Sequence, residues 1–461
     1  MSEFSMKDIK NIHFIGIGGS GMCPLAEILL SKGYNITGSD CNESDTLDRI
    51  RSYGIKVYMG HKEDNVGDNI QLVVHTAAVK ENNPEIAAAR KKGIPVMERS
   101  KMLGIVNDKY ENSIAVSGTH GKTTATAMLT QILIECGKDP SAIIGGKLPF
   151  IGGNSVVGKS DIIVSEACEY VNTFLQLHPA ISIILNVDAD HLDFFKDIDD
   201  IKNSFNQFAK QTRKLLVVNG DDRNSVDSVA DVDIDKLFFG ISDKNDYYAA
   251  NYSSDGGVEQ SFDLMGKGGR CITRIKMNVP GKHNVMNALA AITTAIYLGA
   301  DIENIANAVE HFTGVHRRFE VLCNINGITV ADDFAHHPTE LTATLNSAMN
   351  MNFKRVWGVF QPHTFSRTKI LLDDFAKALS IPDIAVISEI LPVRETNIYN
   401  IYAEDLCAKV SGSVYKQTFD EITEYVCKNA RPGDLIITMG GGNVYMCANQ
   451  IVDKLKSMYA N

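Results

Sequence analysis

Gly118-Thr119-His120-Gly121-Lys122-Thr123-Thr124 stands between an apolar, β-type run from Ser113 to Val116 and a helix-like run from Ala125 to Glu135. Glycines let a backbone turn so that its N–H groups converge on an anion. The positive end of the following helix dipole adds to them, Lys122 supplies a point charge, and Thr123 offers a hydroxyl to Mg²⁺. The spacing is tighter than the strict G-x-x-x-x-G-K-[ST] pattern, because only Thr119 and His120 separate the two glycines. A glycine-rich turn before an ordinary helix is the plain alternative, and the strand–loop–helix context favours the phosphate grip.

Upstream, a strand-like Ile12 to Ile15 runs into Gly16-Ile17-Gly18-Gly19-Ser20-Gly21 and a helical pattern through Leu30. A second strand from Asn35 ends at Gly38-Ser39-Asp40, with an acid near the ~20-residue offset at which dinucleotide sites hold a ribose hydroxyl. NAD, a UDP-sugar and a plain tight turn all remain open here. Strand-like Leu72 to His75, then Thr76-Ala77-Ala78 and a helix from Asn83-Pro84-Glu85, repeat the β-turn-α alternation of a parallel sheet.

Downstream, the runs Asp161 to Glu166 and Ile181 to Asp193 read as buried strands ending in polar residues. In α/β sheets ligands gather at strand C-termini, so Glu166 and His191 could both approach Mg²⁺ held at Thr123. Magnesium favours oxygen, and a histidine that hydrogen-bonds a phosphate or carboxylate is the alternative for His191. Residues Asp231 to Arg274 are rich in Gly and Asp with short strands, and read as a solvent-exposed excursion. Pro280-Gly281-Lys282-His283-Asn284-Val285-Met286-Asn287 opens an alanine-rich helix running to Leu298. Its two asparagines on one face suit an adenine edge, or a helix cap. A third segment follows Arg317-Arg318-Phe319-Glu320 and carries Ala331 to Glu340, then a strand from Arg355 to Phe360 ending in Gln361 to Thr368. Later strands, Ile384 to Ser388 and Leu435 to Met439, lead to Gly440-Gly441-Gly442. The two basic-aromatic clusters imply a second anion or carboxylate pocket.

A chain of 461 residues suggests about three domains. Hydrophobic content of 44% with 22% charged residues is that of an ordinary soluble protein. The net charge of -11 argues against nucleic acid bound through a broad basic surface, and leaves small anions to local groups. Nine cysteines without a CxxC pair fit a reducing cytoplasm. A polar start from Met1 to Lys10 and the lack of a long apolar stretch predict a cytoplasmic protein without a membrane partner.

In order, GIGGSGM, GTHGKTT, EACEY, NVDADH, GKHNVMNALAA, GVHRRFE, DDFAHHPTE and QPHTFSRTK resemble the Mur ligases over nearly the whole chain, and most closely the branch that adds L-alanine to UDP-N-acetylmuramate. The resemblance implies an α/β fold of three domains. These are an N-terminal Rossmann-like domain (1–110) for the UDP substrate, a central ATPase domain (111–316) with a mostly parallel sheet, and a C-terminal Rossmann-like domain (317–461) that binds the amino acid and closes the site. It implies that Gly16, Gly18, Gly19, Ser20, Gly21, Asp40, Thr76 and Ala77 meet the UDP end. ATP would be held by Gly118 to Thr124 and His283, with Lys122 on its phosphates, Arg318 near them, Asn284 and Asn287 near adenine, and Asp333 near the ribose. Thr123 and Glu166 would coordinate one Mg²⁺ and His191 contribute to a second, while His336, His363 and Arg367 would surround L-alanine. On this pattern Lys122, Glu166, His191, His336 and Arg367 carry the catalysis, and the protein is a monomer or homodimer. Phe334 replaces the family's usual tyrosine. Asn203-Ser204-Phe205 occupies the region where relatives adding later residues have a carbamylated lysine, which the alanine-adding branch also lacks.

The expected reaction is therefore an ATP-dependent amide ligation, the first peptide step of peptidoglycan precursor synthesis. The muramate carboxylate attacks the γ-phosphate, and alanine's amine displaces the acyl phosphate. A ligase that recycles a whole murein tripeptide shares DDFAHHP, but its later loop resembles EPRSNT rather than QPHTFSRT. A nicotinamide-dependent oxidoreductase built on Gly16, Gly18, Gly21 and Asp40 would leave the second phosphate grip unexplained. A regulatory module that has lost its chemistry would need a missing catalytic group, and none is missing.

Overall fold

The computed structural model describes residues 6–192, 194–254, 258–393 and 395–459. It divides into two compact units, one of residues 1–249, 264–273 and 286–308, the other of 250–263, 274–285 and 309–461. Three sheets run through them.

The first unit begins with an all-parallel five-stranded sheet, in the order Lys56–Met59, Asn35–Asp40, Asn11–Ile15, Leu72–His75, Val96–Glu98. Its central strand is buried on both faces, which is why the sequence there is an unbroken apolar run. Strand order reverses between Asn11–Ile15 and Leu72–His75, so the crevice at their C-terminal ends is the topological switch point where such sheets bind ligands. Gly16 and Thr76 both stand there.

In the next sheet the strand Asn112–Ser117 lies between Ile162–Glu166 and Ile181–Ile184, all parallel. Leu215–Asn219 and Asp235–Gly240 continue on one side, and Ser141–Leu148 and Gly153–Val156 on the other. Tyr247–Ser254, Gln260–Gly266 and Arg270–Met277 complete ten strands, each with residues in both units. Residues 231–274 are thus not the exposed excursion that their Gly and Asp content suggests. Gln260–Gly266 alternates buried and half-buried positions with the period of two expected of a strand, and Phe262 and Leu264 are fully buried. Burying such a side chain is worth about 1.5–3 kcal/mol, enough to outweigh turn-prone composition.

The second unit carries a six-stranded sheet, in the order Glu320–Ile325, Ile328–Asp333, Asp434–Met439, Arg355–Phe360, Ile384–Ile387, Val414–Tyr415. Asp333, Met439 and Phe360 are register partners, so three parallel strands end side by side. The loops after them hold His336, Gly440 to Gly442 and His363.

Helix starts differ in how they are capped, and Gly21 and Gly121 are among those, with Glu98 and Val444, that lack a side-chain cap. Asn83, Asp197 and Thr418 cap their helices through a side chain. Gly21 and Gly121 make no such bond, at Met22–Ser31 and Lys122–Glu135. First-turn N–H groups left without a capping side chain are the donors an anion uses. Among the described residues no helix is long and apolar enough to cross a membrane.

Candidate active site

The phosphate loop is held from behind by the segment after Ile181–Ile184. Asn186 accepts from His120 N at 2.8 Å and donates to its carbonyl at 3.0 Å, and Thr119 N donates to Asn186 O at 3.0 Å. Thr119 Oγ1 accepts from Asp188 N at 2.9 Å. Gly118 and Gly121 have φ of +140° and +86°, conformations that strain any residue with a Cβ. At Gly121 a Cβ would also stand 2.4 Å from the Asn287 Oδ1. Asn287 is therefore packed against the phosphate loop, and Asn284, also buried, donates to Pro280 O at 2.7 Å.

Lys122 folds back into the loop, donating to Gly118 O at 2.5 Å and Thr119 O at 3.0 Å, and to both oxygens of Glu169 at 2.9 and 3.1 Å. Burial pulls its ammonium down, but Glu169, Cys168 and Glu166 together outweigh burial and hold it above the ordinary lysine value. Thr123 Oγ1 donates to Glu166 Oε2 at 3.2 Å. A Cβ on Gly145 would stand 2.7 Å from that carboxylate, so the absence of a side chain at Gly145 keeps Glu166 in place. His191 does not lie at a strand end, because the strand stops at Ile184 and the polar run continues as loop. His191 has φ +54°, with Nε2 3.9 Å from Glu169 Oε1 and its ring 4.6 Å from that of Tyr170. Asp193, the end of the predicted run, lies outside the described residues.

At the first glycine turn, Gly16 N and Ile17 N donate to Ser39 O at 2.8 and 3.1 Å. Ser39 is itself fixed by the buried Glu85, to which its hydroxyl donates at 2.6 Å. Gly16 has φ +79°, and a Cβ there would meet the Thr76 methyl at 2.7 Å. Asp40 accepts from Gly18 N at 2.9 Å, Cys41 N at 2.8 Å and Asn42 N at 3.2 Å, so its carboxylate is spent on the turn. The Arg99 guanidinium covers Gly21, 3.0 Å from where a Cβ would be, and has no ion pair among the described residues. Asn154 Nδ2 donates to Ser20 O at 2.7 Å.

In the second unit the two arginines of the HRRF run differ. Arg317 donates to Asp332 at 2.9 Å and to Gly442 O and Gly440 O at 2.9 and 2.8 Å, so its donors are taken up inside the sheet end. Arg318 lies 4.0 Å from Glu340 and 5.2 Å from the centre of the Phe334 ring, which also carries Arg317 at 5.0 Å. The ring at this position thus serves two cations without a hydroxyl. Asp333 accepts from Phe319 N and Ala335 N at 2.8 and 2.7 Å, and burial pushes its carboxyl up to about 6 against the pull of Arg318.

His336 and His363 lie with ring centres 5.9 Å apart. His336 Nδ1 is 3.0 Å from Phe334 O, which can only accept, so the neutral ring carries its proton on Nδ1 and its lone pair on Nε2. Burial lowers its pKa; Glu340 opposes this, and Arg367 and Arg318 add to it. Burial, His336 and Arg367 bring His363 down to about 4. Gly441 packs on His336, 3.1 Å from a would-be Cβ. Arg367, in the short helix Phe365–Ile370, has no ion pair or side-chain hydrogen bond among the described residues. Also in this unit, Tyr252, Lys282, His283, Ala343, Asn346 and Ser347 line a concavity of about 690 Å³.

Uncapped glycine turns, a lysine in the throat of one, and acids at neighbouring strand ends define a nucleotide-handling α/β protein. Family profiles for the Mur ligase family catalytic domain, middle domain and glutamate ligase domain match residues 11–110, 116–295 and 317–442. The chain belongs to the Mur ligase family. It is 44% identical to the UDP-N-acetylmuramate–L-alanine ligase of Acetivibrio thermocellus over the whole of both chains. It is 45% identical to that of Agathobacter rectalis, over 96% of this chain and 98% of the relative. Among solved structures, UDP-N-acetylmuramate-alanine ligase from Thermotoga maritima superposes with a TM-score of 0.81 at 29% identity, covering 97% of this chain and 99% of that one. A murein peptide ligase from Psychrobacter arcticus follows at 0.73 and 26%, covering 97% and 98%.

Proposed function

We propose that this chain joins L-alanine to UDP-N-acetylmuramate with consumption of ATP. The observation that carries the reading is the phosphate loop with Lys122 in its throat and Thr123 bonded to Glu166, in a chain similar end to end to L-alanine ligases. Residues 1–110 take the UDP end of the substrate, 111–316 the ATP phosphates and 317–461 the amino acid, a division supported by the spans of the three family profiles. Lys122 and the loop N–H groups hold the phosphates while the muramate carboxylate attacks the γ-phosphorus and ADP leaves. Alanine's neutral amine then attacks the acyl phosphate, an amide bond forms, phosphate leaves, and the amine's proton passes to His336 Nε2. Arg367 binds the alanine carboxylate, and the concavity beside His283 is large enough for an adenine.

Thr123, at a helix start, and Glu166, at a strand end, are an all-oxygen pair, which fits Mg²⁺, whereas His191 offers nitrogen. Bound with ATP, magnesium would neutralise phosphate charge. No three His, Cys, Asp or Glu side chains form a metal-binding group among the described residues. Mg²⁺ is therefore expected to bind weakly to the free protein and much better with ATP. Calorimetry showing tight binding to the free protein, or full activity of Glu166→Gln, would contradict this.

The tripeptide ligase reading is weaker, because that relative is 26% identical against 44% and 45% for the alanine-adding enzymes. In an oxidoreductase Asp40 would accept from a ribose, but its carboxylate already accepts three backbone N–H groups. UDP-N-acetylmuramate is expected to raise the thermal midpoint and NADH to leave it unchanged. Stabilisation by NADH alone would reverse the assignment.

A further inference from the structure

Glu169, the second acid of the EACEY run and just past the strand Ile162–Glu166, is only 2% exposed. An ammonium has three N–H donors. Two of those on Lys122 go to Gly118 O and Thr119 O, and the third is shared between the Glu169 oxygens. That third donor is the one a nucleotide phosphate needs. Resting on the ATP reading above, we propose that Glu169 is a positioning residue that occupies the seat of the phosphate on Lys122, holds the ammonium in the loop before ATP arrives, and is displaced from it by the nucleotide.

Two independent features support this. The chain just after Glu169 is strained: Val171 and Asn172 have φ of +47° and +58°, and a β-branched residue in that region is a rare outlier. Such strain persists where the surroundings impose it and concentrates at functional segments. Ser204, on the helix Ile198–Lys210, donates to Asn172 Oδ1 and ties this segment to that helix. The second feature is a neighbouring ring: His191 Nε2 lies 3.9 Å from Glu169 Oε1, a polar atom within reach of the carboxylate once Lys122 is taken.

The test is calorimetric binding of a non-hydrolysable ATP analogue without Mg²⁺, to wild type, Glu169→Gln and Glu169→Asp. Glu169→Gln removes the competing charge and keeps the shape, and is expected to tighten binding about tenfold. Glu169→Asp keeps the charge but falls short of Nζ, and is expected to tighten it about threefold. A positioning role is also read in the KM–kcat split, with the KM for ATP lower in both variants and that for alanine unchanged. Unchanged or weaker analogue binding in folded Glu169→Gln, or in Glu169→Asp if the first variant does not fold, overturns the proposal. Failure of wild type to bind the analogue overturns the ATP reading instead.

Discussion

Lys122→Ala is expected to lower kcat by at least about a thousandfold, because a phosphate-loop lysine acts on charge that develops in transfer and Lys122 is the cation bonded to the loop carbonyls. The ion pair with Glu169 adds a second consequence. Removing the lysine leaves a buried carboxylate uncompensated, which destabilises the fold by roughly 3 kcal/mol. Lys122→Ala/Glu169→Gln removes both charges, and should regain most of that stability without regaining turnover. Chemical denaturation beside a steady-state assay separates the two effects. Turnover at the wild-type rate in a folded Lys122 variant would remove the lysine from the mechanism.

Arg367→Lys is expected to raise the KM for alanine by about ten- to a hundredfold and that for UDP-N-acetylmuramate little. The amino-acid carboxylate needs the planar, bidentate fork that a guanidinium offers and an ammonium does not. Arg367 suits the role because no carboxylate of the described protein occupies it, whereas Arg317 is consumed by Asp332 and two carbonyls. His336 is the nearby proton acceptor, with its lone pair on Nε2. His363, held down to about 4, is the poorer base and the better orienting group. His336→Gln should therefore reduce kcat more than it raises the alanine KM. Equal damage to both KM values in the Arg367 variant, or a normal alanine KM, would move the amino-acid site elsewhere.

What was legible in the chain follows from how local the cause is. The turns at Gly16 to Gly21 and Gly118 to Thr124 carry their own geometry, and strand, glycine and helix run consecutively, so they were readable as sites. The strand at Arg355–Phe360 and the cluster after it were readable in the same way. Asn186, Arg99 and Glu169 were not, because each acts on a loop distant in sequence: Asn186 on His120, Arg99 on Gly21, and Glu169 on Lys122. The EACEY run did hold a signal, since its second acid falls just past a strand end. Asn287 was read as near adenine or as a helix cap; helical spacing gives its face, and the structure packs that face against Gly121. The short strands within 231–274 were read, but glycine and aspartate content masked their burial, which packing against neighbouring strands decides.

The most direct test mixes the protein with ATP, Mg²⁺, UDP-N-acetylmuramate and one amino acid at a time, and follows ADP, phosphate and the nucleotide-sugar product. Release of ADP and phosphate matched by a product heavier by one alanyl residue, and dependent on all components, is the predicted result. Equal or greater turnover with a murein tripeptide in place of alanine, or no ADP release with any amino acid, would contradict it.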